Sequence, residues 1–400
     1  MPALVLLQVA VACAILCNVL FLVWQQLQPM LAPSGVAGNQ LILVDRLASP
    51  QRAFTTAEVR GGEVALREVP GVRAATAAFG LPMVRGNLMD IALQGPTGVK
   101  VGVNGYLGAG LIDVLGLQLV AGRDFLPSEY RDFGIGGTHE KWSAGGPQPI
   151  IITQALAKRL FANGRALGRL LTDPSDKNDL GYQVVGIVRH LLRNQLGLAT
   201  NGRADDTVLL ARRIASTSTL SYAVRVEPTL REAALRSVRK VIQQHFGALL
   251  PTGITARVST YRSRREAVFK SQRAALGLFA GITLAVVAVT VIGIMGLTGF
   301  WVQKRTRQIG IRRALGARRA DILRYFLAEN ALIVSIGVAI GMLLAYLGNA
   351  LLMHYYELAR LPWSWLPIGA VVMLLLGQLA VLGPALRAAA VPPVVATRSV

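Results

Sequence analysis

A run of thirty residues without a charged side chain, Ala274–Gln303, constrains this 400-residue chain more than any other feature. A helix needs about 20 consecutive apolar residues to cross the hydrocarbon core of a bilayer. The run ends at a strongly basic segment, Lys304–Arg319, in which seven of sixteen residues are lysine or arginine. Basic segments beside a span stay on the cytoplasmic side. The junction therefore predicts a transmembrane helix that leaves the bilayer into the cytoplasm.

Three further blocks lack charged residues and are long enough to span a bilayer: Met1–Val44, Asn330–Met353 and Leu361–Leu386. Hydrophobic residues make up 53% of the chain, and the excess is concentrated in these blocks. Aromatic residues such as Trp24, Phe300 and Trp363 lie near the block ends, as in the interfacial belts of membrane proteins. We predict spans over residues 1–28, 274–303, 326–353 and 366–390.

The first block is longer than the apolar region of a secretory signal peptide, and no basic residue precedes it. These features favour a retained span. The alternatives are a cleaved signal peptide or a lipoprotein-type cleavage before Cys13. Cys13 and Cys17 are the only cysteines of the chain, and we interpret both as small apolar residues of a helix.

The positions of the basic residues predict the topology. The segment 304–325 is basic, and so is the end of the chain, with Arg387 and the tail 391–400, which contains Arg398. Both are therefore expected in the cytoplasm, which places residues 29–270 and the short loop 354–365 on the other side. Residues 29–270 are therefore expected to be extracytoplasmic.

Residues 29–270 show the pattern of a mixed α/β domain, in which β-branched apolar runs alternate with amphipathic helical stretches. Strands are predicted at 41–44, 72–79, 149–152, 182–188 and 220–226, and helices at 56–68, 154–161 and 229–246. A loop is expected at Gly134–Gly146, a polar turn at Asp173–Gly181, and a charged helical approach to the second span at Arg262–Arg273. The predicted fold class is a membrane protein with four transmembrane α-helices, one before and three after a large extracytoplasmic mixed α/β domain.

Several other classes of protein are disfavoured. The net charge of +21 suggests nucleic acid, but no RNA-binding or helix-turn-helix pattern accompanies it, so anionic lipid headgroups are the expected counter-charge. The four histidines, His139, His190, His245 and His354, show no metal-ligand spacing. No nucleophile and base form a recognisable catalytic set. We therefore expect no catalytic, cofactor-binding or metal site on this chain.

Five segments, in the same order, resemble the FtsX-like/MacB-type permeases of ABC transporters. The most specific is Arg307–Ala317, which reads RQIGIRRALGA where that family's usual wording is close to REIGIRRALGA. The other four are Gly105–Phe125 with its GRDF ending, Ile150–Leu170, Tyr182–Arg189, and Gly383–Ala389 followed by Pro392 and Pro393. Two features depart from the pattern. Gln308 stands where an acidic residue is usual, and the chain begins directly in its first span.

The resemblance implies an ATP-driven machine, yet the sequence has no G-x-x-x-x-G-K-[ST] phosphate loop. ATP and Mg²⁺ are therefore expected on a separate ATPase subunit, and this chain is expected to be a permease subunit rather than an enzyme. The resemblance also implies that the basic segment contacts that ATPase. In this interpretation the arginines remain at the rim of an apolar groove, and Gly310 and Gly316 allow turns. The apolar side chains expected to enter the groove are Ile309, Ile311, Leu315, Ile322 and Leu323. The proposed ATPase-coupling residues are Arg307, Gln308, Ile309, Gly310, Ile311, Arg312, Arg313, Ala314, Leu315, Gly316 and Ala317. The alternative is that the segment is basic only because cytoplasmic loops are.

Four spans do not enclose a path alone, so the resemblance implies a dimer with a second permease copy, identical or different. Gly337, Gly341 and Ala345 place small residues on one helix face, which suits packing against that copy or within this chain. Glu329 near the cytoplasmic end of the third span is a candidate intramembrane polar site. It is expected either to reach the interface or to pair with Arg324.

The resemblance implies a permease subunit of the bacterial inner membrane, with residues 29–270 in the periplasm. This subunit is expected to couple ATP hydrolysis to movement of the periplasmic domain, for export or efflux. A periplasmic adaptor or enzyme is a further candidate partner. One alternative is a mechanotransmitting regulator of a periplasmic enzyme that moves no solute. Others are a membrane sensor without an ATPase, and a membrane-anchored hydrolase. The sequence does not identify the substrate.

Overall fold

A computed structural model describes residues 2–84, 89–134, 146–161, 163–174, 181–194, 203–251, 253–356 and 361–390. Most of the loop expected at Gly134–Gly146 and of the turn expected at Asp173–Gly181 lies outside the described residues. So do part of the loop 354–365 and the tail 391–400. The chain forms two compact units. One is a helical unit made of Met1–Gln28 and Ser271–Val400, and the other is an inserted domain, Pro29–Lys270.

The helices are α1 (Pro2–Leu31), α2 (Thr56–Arg67), α3 (Leu111–Leu115), α4 (Gln154–Leu160), α5 (Arg231–Phe246), α6 (Tyr261–Val268), α7 (Lys270–Ala314), α8 (Arg319–Tyr356) and α9 (Leu366–Ala390). The strands are β1 (Leu41–Ala48), β2 (Val72–Phe79), β3 (Asp90–Gln94), β4 (Lys100–Gly108), β5 (Leu119–Gly122), β6 (Arg131–Gly134), β7 (Gln148–Thr153), β8 (Leu170–Leu171), β9 (Tyr182–Val188), β10 (Thr207–Leu210), β11 (Arg212–Ser216), β12 (Thr219–Val226) and β13 (Arg257–Thr260).

Four helices in the described part of the chain are long and apolar enough to cross a membrane. They correspond to the four spans expected from the sequence, one before and three after the inserted domain. Their membrane-compatible stretches are Ala3–Leu31, Lys270–Thr306, Arg319–Leu351 and Trp363–Arg387.

The expected loop at 304–325 is wrong as a description of the backbone. Helix α7 continues without interruption through the first two thirds of the basic segment and ends at Ala314. Helix α8 begins at Arg319, so only residues 315–318 join the two helices. The reason is that arginine, glutamine, isoleucine, alanine and leucine are acceptable helix residues, and the segment contains no proline. Charge predicts the side of the membrane, but it does not indicate where the helix ends.

The core of the helical unit lies where α1 packs against α8 and α9. Cys13 and Leu16 of α1 are buried with Val334 of α8 and with Met373 and Val381 of α9. One face of α1 is therefore covered by α8 and α9. Because lipid tails are as apolar as leucine, close packing rather than the hydrophobic effect holds such helices together.

The inserted domain is built on a mixed sheet of eleven strands among the described residues. Its order is β13-β1-β12-β2-β4-β10-β7-β9-β5, with β3 added to β4 and β8 added to β9. The pairs β10–β4 and β7–β9 are parallel, and the other pairs of this sheet are antiparallel. Strands β11 and β6 form a separate parallel pair. The mixed α/β class expected from the sequence is confirmed.

Both faces of this sheet are covered, which explains why β1 is apolar throughout its first half. Ile42 and Val44 belong to one hydrophobic cluster, which also contains Phe246 of α5. Leu41 and Leu43 belong to a second cluster on the opposite face, with residues of α3. Successive side chains of a strand point to opposite faces, so a strand buried on both sides has no polar alternation.

The predicted strands and helices of the inserted domain are confirmed, with differences of at most four residues at their ends. The capping residues at the start of α2 explain why this helix could be predicted from the sequence. The Thr55 side chain accepts a hydrogen bond from the Glu58 amide at 3.3 Å, and Glu58 Oε2 accepts one from the Thr55 amide at 2.8 Å. This reciprocal cap satisfies two amides that have no partner within the helix. The expected approach helix at Arg262–Arg273 is instead two helices, α6 and the start of α7, separated by Phe269.

Candidate functional site

The candidate site is the hairpin tip, which we define as residues 311–318, between the end of α7 and the start of α8. Gly316 has a φ of +100°, a conformation that favours glycine because it has no Cβ. The Ala317 amide donates to the Arg312 carbonyl at 3.1 Å, and the Leu315 amide donates to the Ile311 carbonyl at 3.0 Å. These bonds satisfy carbonyls at the end of α7 and reverse the chain direction. Gly316 therefore makes the turn that was expected, whereas Gly310 lies inside α7.

The start of α8 is also fixed by its sequence. The Arg318 amide donates to Asp321 Oδ2 at 3.0 Å, and the Asp321 amide donates to the Arg318 carbonyl at 3.0 Å. An acidic residue in the first turn is stabilised by the positive end of the helix dipole. The two short capping arrangements together leave four residues for the connection, and they determine which side chains point outward.

The inner side of the hairpin is packed against its own helices. Ile309 on α7 and Ile322 and Phe326 on α8 are each only 4–5% exposed. Ile309 and Ile322 were expected to enter a groove on a partner. That expectation is corrected, because these side chains already fill the space between α7 and α8.

The outer side of the hairpin tip is different. Leu315 is 82% exposed, more than any other large hydrophobic side chain among the described residues, and Ile311 is 48% exposed. Arg312, Arg318 and Arg319 around them are exposed as well. The structure thus brings together an apolar projection and a basic rim, which is the arrangement that the sequence suggested. Of the other predicted coupling residues, Gln308 is exposed, Ala317 is half-buried, and Arg307, Arg313 and Ala314 lie in the last turns of α7.

Cation–π contacts orient three basic side chains near the hairpin, and sequence reasoning did not find them. The Arg312 guanidinium lies 4.9 Å from the centroid of the Tyr325 ring. Lys304 lies at the same distance from the Phe300 ring, and so does Arg305 from the Trp301 ring. Such contacts contribute about 0.5–1 kcal/mol at exposed sites. A signal was available, since basic and aromatic residues recur at spacings of four along α7.

Glu329 forms an ion pair with Arg305, whereas the sequence suggested that it either reaches the interface or pairs with Arg324. Arg305 Nη1 donates to both carboxylate oxygens of Glu329 at 3.0 Å. Arg305 is two residues past the predicted end of the second span, so the pair connects α7 to α8 at the level where the spans meet the basic segment. A cavity of about 30 Å³, lined by Trp301 and Asn330 among others, lies beside Glu329. A space of this size holds one water molecule.

The small residues of α8 are used within the chain. A Cβ on Gly337 would lie 2.8 Å from Val9 Cγ1, and one on Gly341 would lie 2.6 Å from Cys13 Cβ. The Ala345 carbonyl accepts a hydrogen bond from the Asn18 side chain at 3.3 Å. Of the two alternatives left open by the sequence, these three positions therefore serve packing against α1.

Among the described residues, no group of three metal-ligating side chains occurs.

Comparison with known proteins agrees with both units. Residues 280–393 match the FtsX-like permease C-terminal family, and residues 4–241 match the MacB-like periplasmic core domain. The chain belongs to the MacB/FtsX-type permease family. It is a multi-pass membrane protein of an ABC transporter family, and the hairpin tip lies within the FtsX-like part.

The chain is similar to members of this family that differ in length. The chain is 31% identical over 258 residues to the macrolide export ATP-binding/permease protein MacB 1 of Aeromonas hydrophila, and the match covers 62% of the chain and 38% of that protein. It is 34% identical over 204 residues to MacB of Bordetella avium, covering 50% and 29%. It is 26% identical over 307 residues to the ABC transporter permease YknZ of Bacillus subtilis, covering 74% and 69%. The chain thus spans less than two fifths of the length of the MacB relatives.

The chain is also similar to two solved structures. One is the extracellular domain of the transporter YknZ from Gram-positive bacteria, at 14% identity and a TM-score of 0.35, covering 55% of the chain and 99% of that structure. The other is a domain of a permease protein from Porphyromonas gingivalis, at 15% identity and a TM-score of 0.34, covering 56% and 90%.

Proposed function

We propose that this chain is the permease subunit of an ABC transporter, and that the hairpin tip receives force from an ATPase on a separate polypeptide. ATP and Mg²⁺ would bind that polypeptide, and the chain itself would bind neither. In this proposal the hairpin tip faces the bacterial cytoplasm and the inserted domain faces the periplasm. Movement of the inserted domain then drives export, in association with a second permease copy and a periplasmic partner.

The observation that carries the proposal is the exposure of Leu315 and Ile311 at a tip whose inner residues are already packed. The fold does not need an exposed leucine at this place, since Gly316 makes the turn and Asp321 caps α8. A well-defined apolar projection with an arginine rim suits a groove that has an apolar floor and acidic edges. Fully burying a leucine side chain contributes about 1.5–3 kcal/mol.

The distribution of charge supports the orientation. The hairpin tip and its flanks contain seven basic residues between Lys304 and Arg319, and the end of α9 contributes Arg387. An excess of lysine and arginine in short loops next to spans is the strongest determinant of which side stays cytoplasmic. The same argument places the inserted domain outside, which agrees with the word periplasmic in the name of the matching domain family.

The printed names of the relatives support an ABC ATPase as the partner. The MacB relatives are named ATP-binding/permease proteins, and the chain matches 38% or less of the Aeromonas and Bordetella members. The relative named only as a permease is matched over 69% of its length. No phosphate loop occurs in these 400 residues. Export as the direction of transport follows the printed function of the MacB relatives.

The test is to purify the chain with the ABC ATPase that accompanies it and to replace Leu315 by aspartate. We expect the ATPase to bind at least about tenfold more weakly, because losing the burial of one leucine removes more than about 1.4 kcal/mol. The matched control is Leu126→Asp, the same change at a leucine of the inserted domain that is 49% exposed. If Leu315→Asp binds and stimulates the ATPase as the control does, the hairpin tip is not the contact.

A further inference from the structure

The inserted domain contains a buried ion pair that the hairpin site does not involve. Arg264 of α6 donates through Nη2 to Asp45 Oδ2 of β1, and the two side chains are only 8% and 9% exposed. The residues are 219 positions apart in sequence. The pair is the polar connection between α6, the last helix of the domain, and the second strand from the edge of the main sheet.

The pair is not arranged for maximum stability. Asp45 Oδ1 and Arg264 Nε are buried without a hydrogen-bond partner among the described residues. Replacing a buried ion pair by apolar residues of similar volume is often neutral or stabilising, because both charges must be removed from water. An incompletely satisfied pair is less favourable still. Stability alone therefore does not explain these two residues.

The backbone at Asp45 is shaped to reach Arg264. Between Val44 and Leu47 strand β1 contains one residue more than its partner β12, which makes a β-bulge. Arg46 within the bulge has a φ of 64°, which is uncommon for a residue other than glycine. Bulges redirect side chains, and here the bulge directly follows the register in which β1 pairs with both β12 and β13.

Helix α6 is also fixed to the chain entering the domain. Arg265 Nη2 donates to the carbonyls of Met30 at 2.7 Å and Ala32 at 3.2 Å, at and just beyond the end of α1. Phe269, the single residue between α6 and α7, is 1% exposed and belongs to the same hydrophobic cluster as Leu41 and Leu43. The junction of α6 and α7 is therefore held both to the chain that enters the domain and to the hydrophobic cluster around β1.

We propose that Asp45 and Arg264 are positioning residues that transmit movement from α6 to the main sheet. This inference rests on the proposed function, in which α7 moves during ATP hydrolysis. Hydrophobic contacts are non-directional and permit sliding, whereas charge-assisted hydrogen bonds fix distance and direction. The ion pair therefore makes β1 follow α6, and β12 and β2 follow through the strand pairing that joins them.

The experiment uses the complete complex with its ATPase in lipid nanodiscs and compares hydrogen exchange with and without ATP and Mg²⁺. The variant is Asp45→Leu/Arg264→Met, which removes both charges and keeps similar volume. The control is Arg262→Met/Glu266→Leu, which removes an exposed ion pair from the same helix α6. The readout is the nucleotide-dependent change in exchange of β1 and β12, together with the melting temperature.

We expect Asp45→Leu/Arg264→Met to melt within a few degrees of wild type and to lose the nucleotide-dependent change by about tenfold, a typical size for coupling between sites. The control keeps the change. An equal response of variant and wild type overturns the inference. If the variant does not fold, Arg264→Lys replaces it: this variant keeps the charge but lacks the guanidinium fork, so a reduced response supports the inference and a full response overturns it. No response in wild type instead refutes the proposed function, and the inference fails with it.

Discussion

Gly341→Ala tests the packing of α1 against α8. A Cβ at this position would lie 2.6 Å from Cys13 Cβ and 2.7 Å from the Ala10 carbonyl oxygen. Carbon atoms in favourable contact are about 3.5–4.0 Å apart, so α1 must move by about 1 Å. The obstructing atoms are a Cβ and backbone atoms, which cannot rotate out of the way. We expect a loss of about 1–3 kcal/mol in the free energy of unfolding, the usual cost of overpacking.

Gly348→Ala on the same helix is the matched control. No described atom outside its own stretch of helix lies within 4 Å of the position that its Cβ would take. Alanine is better than glycine in a helix by about 1 kcal/mol. The control is therefore expected to be neutral or slightly stabilising. The two variants make the same chemical change on one helix and differ only in whether α1 lies opposite.

Melting in detergent gives the first readout, and cysteine labelling gives the second. Cys13 and Cys17 are the only cysteines of the chain, and both are buried. If Gly341→Ala pushes α1 away, a maleimide should label these thiols faster than in wild type or in Gly348→Ala. Equal melting temperatures and equal labelling rates for the two alanine variants would refute the packing of α1 on α8.

Two further predictions concern charged groups. Glu329→Gln removes the charge that pairs with Arg305, whose side chain is 36% exposed; we expect melting to report a loss of about 1 kcal/mol, the upper end for a solvent-accessible pair, and no loss would contradict the pairing. Arg52, followed by the Thr55 amide, lowers the pKa of Glu58 from 4.5 to about 2. Glu58 therefore contributes stability above pH 4.5 that is lost as the pH falls towards 2. Arg52→Ala should melt lower than wild type at pH 7 and equally near pH 2, and a constant difference across this range would refute the assignment.

Much of the architecture could be predicted because it depends on local patterns. Charge-free runs identify the spans, since hydrocarbon excludes charged side chains wherever they occur. The β-branched run Tyr182–Val188 became β9 with the same limits, because flanking turn residues bound it. At the hairpin tip, the expected turn at Gly316 and the outward position of Leu315 are both found in the structure.

The parts that could not be predicted depend on contacts between distant residues. Glu329 was expected to reach the interface or to pair with Arg324, but it pairs with Arg305 of α7, 24 positions earlier in the sequence. Ile309 and Ile322 are apolar whether they pack internally or against a partner, so composition alone could not decide between these roles. The Asp45–Arg264 pair joins residues 219 positions apart, and no periodicity marks either of them.

The correction at the basic segment has a functional consequence. A flexible loop at 304–325 would absorb displacement, whereas α7 is helical over 45 residues, which at 1.5 Å per residue corresponds to about 68 Å. This length exceeds the hydrocarbon thickness of about 30 Å more than twofold. A helix resists axial compression because each turn is hydrogen-bonded to the next. Under the proposed function, force applied near Leu315 is carried along one hydrogen-bonded helix to Lys270, which follows Phe269 and the end of α6. Replacing Leu284, an exposed residue of α7, by proline should then interrupt the transmission of force along this helix. Binding of the ATPase at the hairpin tip should be retained.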